Sequence, residues 1–118
     1  MITTPSEAMP AIAEIRLIGG DELVRELMST FLRFAATQLP RLYDAAEDGD
    51  VEVGATIAHT LKASARQLGA IALGDACASA ELAAKGADMA GFLKRTEDVA
   101  DAFERTRPWM EQLSSSAA

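Results

Sequence analysis

Residues 21–50, DELVRELMSTFLRFAATQLPRLYDAAEDGD, decide the fold class. Val24, Met28, Phe31, Ala35, Leu39, Leu42 and Ala46 recur three or four residues apart, the repeat of one buried helix face. The register runs through Pro40 without resetting, so the spacing predicts one long helix over about 21–48, kinked near Pro40, and not two helices. Asp21 is a suitable N-cap, and DGD at 48–50 is a turn.

The same reading extends in both directions. A short first helix is expected over Ala8 to Ile18, stopped by Gly19-Gly20. After the turn, one helix should run from Val51 to Leu68 and end at Gly69, a left-handed capping position. Another should run from Ala70 to Lys85 and stop at Gly86. The last should begin near Asp88, with Pro108 kinking or ending it, because proline removes the bond to the Glu104 carbonyl. No segment alternates with the period of two expected of a half-buried strand. The expected fold is all-α: an antiparallel four-helix up-down bundle with a short extra N-terminal helix. The 118 residues are read as one domain, ordered over about 8–113, with frayed ends MITTPSEAMP and SSSAA.

Composition narrows the function. The apolar share is 49%, much of it alanine, and aromatics are 5%, which favours closely packed helices. A net charge of −7 repels phosphate backbones, so nucleic acid is a poor partner. The single cysteine, Cys77, lies on an inward stripe with Leu73, Ala76 and Ala80. It cannot form an internal disulfide, and this fits a reducing compartment. No apolar run is long enough to span a bilayer, and the N-terminus lacks the basic and apolar regions of a signal peptide. A cytoplasmic monomer is the expectation.

The stretch AHTLKASARQLGA, residues 58–70, holds the only histidine, His59. At about 100° per residue, Ile57, Leu61, Ser64, Ala65 and Leu68 form the inward stripe. His59 falls about 200° from Ile57, on the outer side. Lys62 and Arg66 flank it there, and Ala55 and Ala63 share that side. Gln67, at about 280°, sits at the boundary where it can approach the ring. A packed core histidine is therefore disfavoured. Metal binding is too, because one His and one Cys fall short of a zinc set, and Thr56 stands where a di-iron motif wants Glu. There is no GxSxG elbow, and LIGGD is too short for a phosphate-binding loop.

Two readings stay open on the residues alone. One is a plain solvated histidine, which a polar face allows without further reason. The other is a nucleophile. Neutral imidazole has a nucleophilic ring nitrogen near pH 7. Lys62, one turn later, could stabilise an anionic phosphoryl group, with Arg66 adding charge and Ala55 and Ala63 letting a partner approach.

AHTLKASARQLGA resembles the signature of histidine-containing phosphotransfer (HPt) domains, roughly HxLKGSxxxxG. His59 matches the phosphorylated histidine, Leu61 the core leucine, Lys62 the phosphate-assisting lysine, Ser64 the small residue and Gly69 the helix-ending glycine. LIGGDELVRELMSTFL, EDGD and ALGDACASAE resemble the flanking segments, so the likeness spans about residues 15–113. Ala63 replaces the usual glycine after the lysine, which bears on partner preference.

The resemblance implies a phosphorelay intermediate. A receiver-domain aspartate, often within a hybrid sensor histidine kinase, would phosphorylate His59 on Nε2. His59 would pass the group to the aspartate of a second receiver. Lys62 would balance phosphate charge, and the outer face with Ala55, Ala63 and Arg66 would dock the partner. The domain would be a carrier and not an enzyme, binding neither ATP nor metal, with Mg2+ arriving on the receiver. The alternative is a helical interaction module that binds or inhibits a signalling partner without His59 chemistry. A phosphoacceptor domain of a chemotaxis-type kinase is weaker, since the chain ends suggest no attached domain.

Overall fold

A computed structural model describes residues 2–115. A short 3-10 turn at Ser6–Ala8 leads into α1 (Met9–Asp48), followed by α2 (Val51–Gln67), α3 (Ile71–Lys85) and α4 (Met89–Ser115). Each helix packs on its chain neighbours, and α4 closes back onto α1. The links are two or three residues long, so successive helices run antiparallel. There are no strands among the described residues. This is the expected all-α up-down bundle.

α1 is broken at Gly20, whose φ of 72° and ψ of −168° lie outside the helical region. The expected short N-terminal helix is the arm before that break. Glycine is the residue that takes this conformation without a steric cost. Arg16 Nε donates to Asp21 Oδ1 at 2.6 Å, linking the two sides of the break. The arm buries Ile12 and Ile15, and the preceding turn buries Ala8. Ala8, where the ordered part was expected to begin, is the first buried residue among the described ones. Residues 116–118 of the expected frayed tail lie outside the described residues.

Beyond Gly20, the buried positions of α1 are Val24, Met28, Phe31, Ala35, Leu39, Leu42, Ala45 and Ala46. All seven positions of the sequence stripe are among them. Dihedrals stay helical at Pro40, which faces solvent, so water can bond the carbonyl that proline leaves unpaired. α4 likewise continues through Pro108 to Ser115 and does not end there. The orphaned carbonyl belongs to exposed Glu104, and the next turn buries Trp109 and Met110. Burial of those two large side chains holds the helix together past the proline.

The core is one cluster drawn from all four helices, centred on Phe92, Met28, Leu42, Leu61, Leu73 and Met110. Buried alanines, among them Ala35, Ala58, Ala65 and Ala80, let the helices approach closely. Gly69 ends α2 with φ of 83°, and a Cβ there would lie 2.8 Å from the Ala8 backbone. Left-handed backbone and close approach therefore both require glycine at this position. After α3, the left-handed residue is Ala87 (φ 54°), one position beyond the expected stop at Gly86.

Candidate functional site

α2 carries His59 on its outer face because Gly54, Ile57, Ala58, Leu61 and Ala65 occupy the inner one. Asp50 caps the helix by accepting from Val53 N at 3.2 Å. The imidazole is 61% exposed. Its Nδ1 lies 2.8 Å from Oε2 of Glu81, which projects from the facing side of α3. Lys62 Nζ donates to the other oxygen, Oε1, at 2.6 Å. Lys85, one turn along α3, pairs with Oε2 at 3.0 Å. A single carboxylate therefore collects the histidine and two lysines.

The Glu81 side chain is only 6% exposed. Burial pushes its carboxyl pKa up, but hydrogen bonds from Lys62, Lys85 and His59, with the charge of Lys62, outweigh this and bring it down to about 2. An ionised carboxylate only accepts hydrogen bonds, so Nδ1 must carry the proton. In the neutral ring Nε2 then holds the lone pair. The ring is exposed and its other nitrogen is engaged by Glu81. This leaves a nucleophilic nitrogen available to an incoming electrophile.

Glu81 was not singled out from sequence. It lies on the flank of the α3 stripe formed by Leu73, Cys77, Ala80 and Ala84. A carboxylate at a buried-face position needs a paired cation. That conflict was the available signal, although its partner is 22 residues away.

The other predicted residues fall around this centre. Ala55 borders the concavity beside the ring, with Thr56, Thr60 and Lys85. Ala63 is exposed one position beyond Lys62. Arg66 reaches across Gly74 to Asp75 Oδ1 at 3.4 Å, so the structure places its guanidinium against α3. Gln67 lines a mainly apolar groove with Ile15, Leu27, Phe34, Thr60, Ser64 and Leu68 and does not meet the ring, which bonds Glu81. Ser64, assigned to the core stripe, is only half-buried. Cys77 is buried, and burial pushes its thiol up to about 12, so it stays a neutral packing residue. Among the described residues no group of three or more His, Cys, Asp or Glu could hold a metal ion.

An outward histidine steadied by a carboxylate and flanked by lysines on a four-helix bundle suits a protein that carries a transferable group. The chain matches the family model of the Hpt domain over residues 26–115 and belongs to that family. This gives it a phosphotransfer role in two-component signalling, as a phosphocarrier module of the kind that works with receiver domains and kinases. Comparison with curated proteins and with solved structures found no match. No helix among the described residues is long and apolar enough to cross a membrane.

Proposed function

We propose that the protein is a phosphorelay intermediate. It takes a phosphoryl group onto His59 Nε2 from a receiver-domain aspartate and passes it to the aspartate of a second receiver. The observation that carries this reading is the 2.8 Å bond between His59 Nδ1 and the nearly buried carboxylate of Glu81.

Nε2 attacks phosphorus as the aspartyl-phosphate P–O bond breaks. The ring becomes cationic, since Nδ1 keeps its proton, and the leaving aspartate takes the electron pair. Glu81 faces the proton at Nδ1 and stabilises the charge that develops on the ring. Lys62 adds positive charge beside it. Departure of the phosphoryl group reverses these steps, so the same arrangement serves both transfers.

The partner docks on the exposed side of α2 around Ala55, Ala63 and Arg66. Gln67 belongs to its border along the apolar groove between α1 and α2. Thr60 lines both that groove and the concavity beside His59, which makes the two surfaces continuous. The domain works as a cytoplasmic monomer and holds no cofactor. The Mg2+ that phosphoryl transfer calls for is carried by the receiver.

Incubation with a 32P-phosphorylated receiver domain tests this reading. Wild type should gain acid-labile, base-stable label, and His59→Gln should gain none. Label persisting in His59→Gln would assign the chemistry to another residue. Absence of label on wild type with every receiver of the host would leave an interaction module without histidine chemistry.

A further inference from the structure

A furrow runs between α1 and α2, and Phe34 lines both of its stretches. One stretch is the mainly apolar groove that holds Gln67 and Leu68. The other is bordered by Gln38 and Arg41 of α1 and by Glu52, Val53 and Thr56 of α2. Thr56 and Thr60 border this second stretch and also the concavity beside His59, so the furrow and the His59 face form one surface.

Arg41 is the only cation among the described residues that border the furrow. Its exposed guanidinium donates from Nη1 to the neutral side chain of Gln38 at 3.1 Å. Among the described residues no carboxylate pairs with it, although Glu52 borders the same stretch. Arg16, Arg66, Arg95 and Arg107 are each paired with an aspartate or glutamate, as a chain of net charge −7 readily allows. Arg33 also meets only hydroxyls, those of Ser29 and Thr30, but it borders neither stretch.

We propose that Arg41 selects the partner by charge: the docked receiver seats an apolar side chain between Phe34 and Val53 and places a carboxylate against the Arg41 guanidinium. This rests on the reading of His59 as a phosphoacceptor served by receiver domains. Guanidinium carries five N–H donors, and Gln38 occupies one of them, so a planar carboxylate finds a free bidentate edge. Val53 is 39% exposed and Phe34 half-buried, which supplies apolar surface beside the charge. The two walls also differ in sign. Arg41 on α1 attracts a carboxylate, and Glu52 on α2 repels one, so the acidic side of the receiver is turned toward α1. A charge of this kind, exposed and away from the reacting atoms, acts on encounter and on rejection of wrong partners. Arg41 therefore governs docking and not the transfer step.

Single-turnover transfer from a 32P-labelled receiver at varied receiver concentration separates the two. The receiver used is the one that labels wild type fastest among those of the host. Arg41→Glu should raise the half-saturating concentration about tenfold at low salt and change the maximal rate less than twofold. Arg41→Gln should fall between, and Arg41→Lys should retain most of the affinity. The gap between wild type and Arg41→Glu should narrow at an ionic strength of about 0.5 M, where exposed charges are screened. Lys94→Glu makes the same change in net charge at an exposed position of α4, which packs on α1 and α3. It should stay within twofold of wild type.

A half-saturating concentration in Arg41→Glu within twofold of wild type overturns the assignment. An equal loss in Lys94→Glu does so too, since overall charge and not the furrow would then be the cause, and so does a loss confined to the maximal rate. Each of these results leaves His59 as the acceptor. Failure of wild type to take label from any host receiver removes the acceptor reading, and this inference falls with it.

Discussion

Oε2 of Glu81 lies 2.8 Å from Nδ1 of His59, joining a carboxylate that is almost wholly buried to an imidazole that is mostly exposed. The bond crosses from α3 to α2, so the packing of two helices sets the tautomer of the ring. The protein holds Nδ1, and under the proposed function Nε2 is the nitrogen that takes the phosphoryl group.

Glu81→Ala should slow phosphoryl transfer to His59 by roughly ten- to a hundredfold, because the ring loses the group that orients it and stabilises its developing charge. Glu81→Gln can still accept from Nδ1, so its loss should be smaller. Rapid-quench transfer from a phosphorylated receiver measures both. Equal rates in wild type and Glu81→Ala would remove the carboxylate from the chemistry.

Acid stability should also depend on Glu81. Its pKa is about 2 in the folded protein, below the ordinary value of 4.5. Its ionised form is therefore favoured by folding. That contribution is fully present above pH 4.5 and fades as pH falls toward 2. Urea melts of wild type and Glu81→Gln at pH 6 and pH 3 should show the variant losing less stability on acidification. Parallel losses would contradict the assignment.

Gly54→Ala should destabilise the bundle by about 1–3 kcal/mol, the range for overpacking a core. A Cβ at this position would overlap the ring of Phe92, itself fully buried between the helices. Denaturant melts of Gly54→Ala, alone and with Phe92→Leu, check this, and the smaller side chain should recover part of the loss.

Ala87→Gly should raise stability by up to about 1 kcal/mol, since Ala87 holds a left-handed φ of 54° that glycine adopts without penalty. The gain would appear in the thermal midpoint and leave phosphoryl transfer unchanged.

The fold was legible because its helices are strongly periodic and punctuated by glycines. Val24 through Ala46 kept one register, and Gly20, Gly49 and Gly69 marked the three boundaries where a glycine takes a positive φ. Of the two outcomes expected at Pro108, a kink or an end, the end does not occur, because burial of Trp109 and Met110 outweighs the proline's local cost. At the site, helical arithmetic placed His59 and Lys62 on the outer face of α2, but it could not supply the partner from α3. Glu81 and Lys85 join the site through tertiary packing. Arg66 shared the outward side in projection, yet its long side chain lies over Gly74 toward Asp75. A helical projection fixes where a side chain begins and says little about where seven heavy atoms end.

The proposed phosphorelay role puts the phosphoryl group on Nε2 of His59 while Glu81 holds Nδ1. The most direct test is 15N and 31P NMR of the phosphorylated protein with its single histidine labelled. One phosphohistidine is expected, with phosphorus coupled to Nε2 and a proton retained on Nδ1. Phosphorus on Nδ1, or on any residue other than His59, would contradict it.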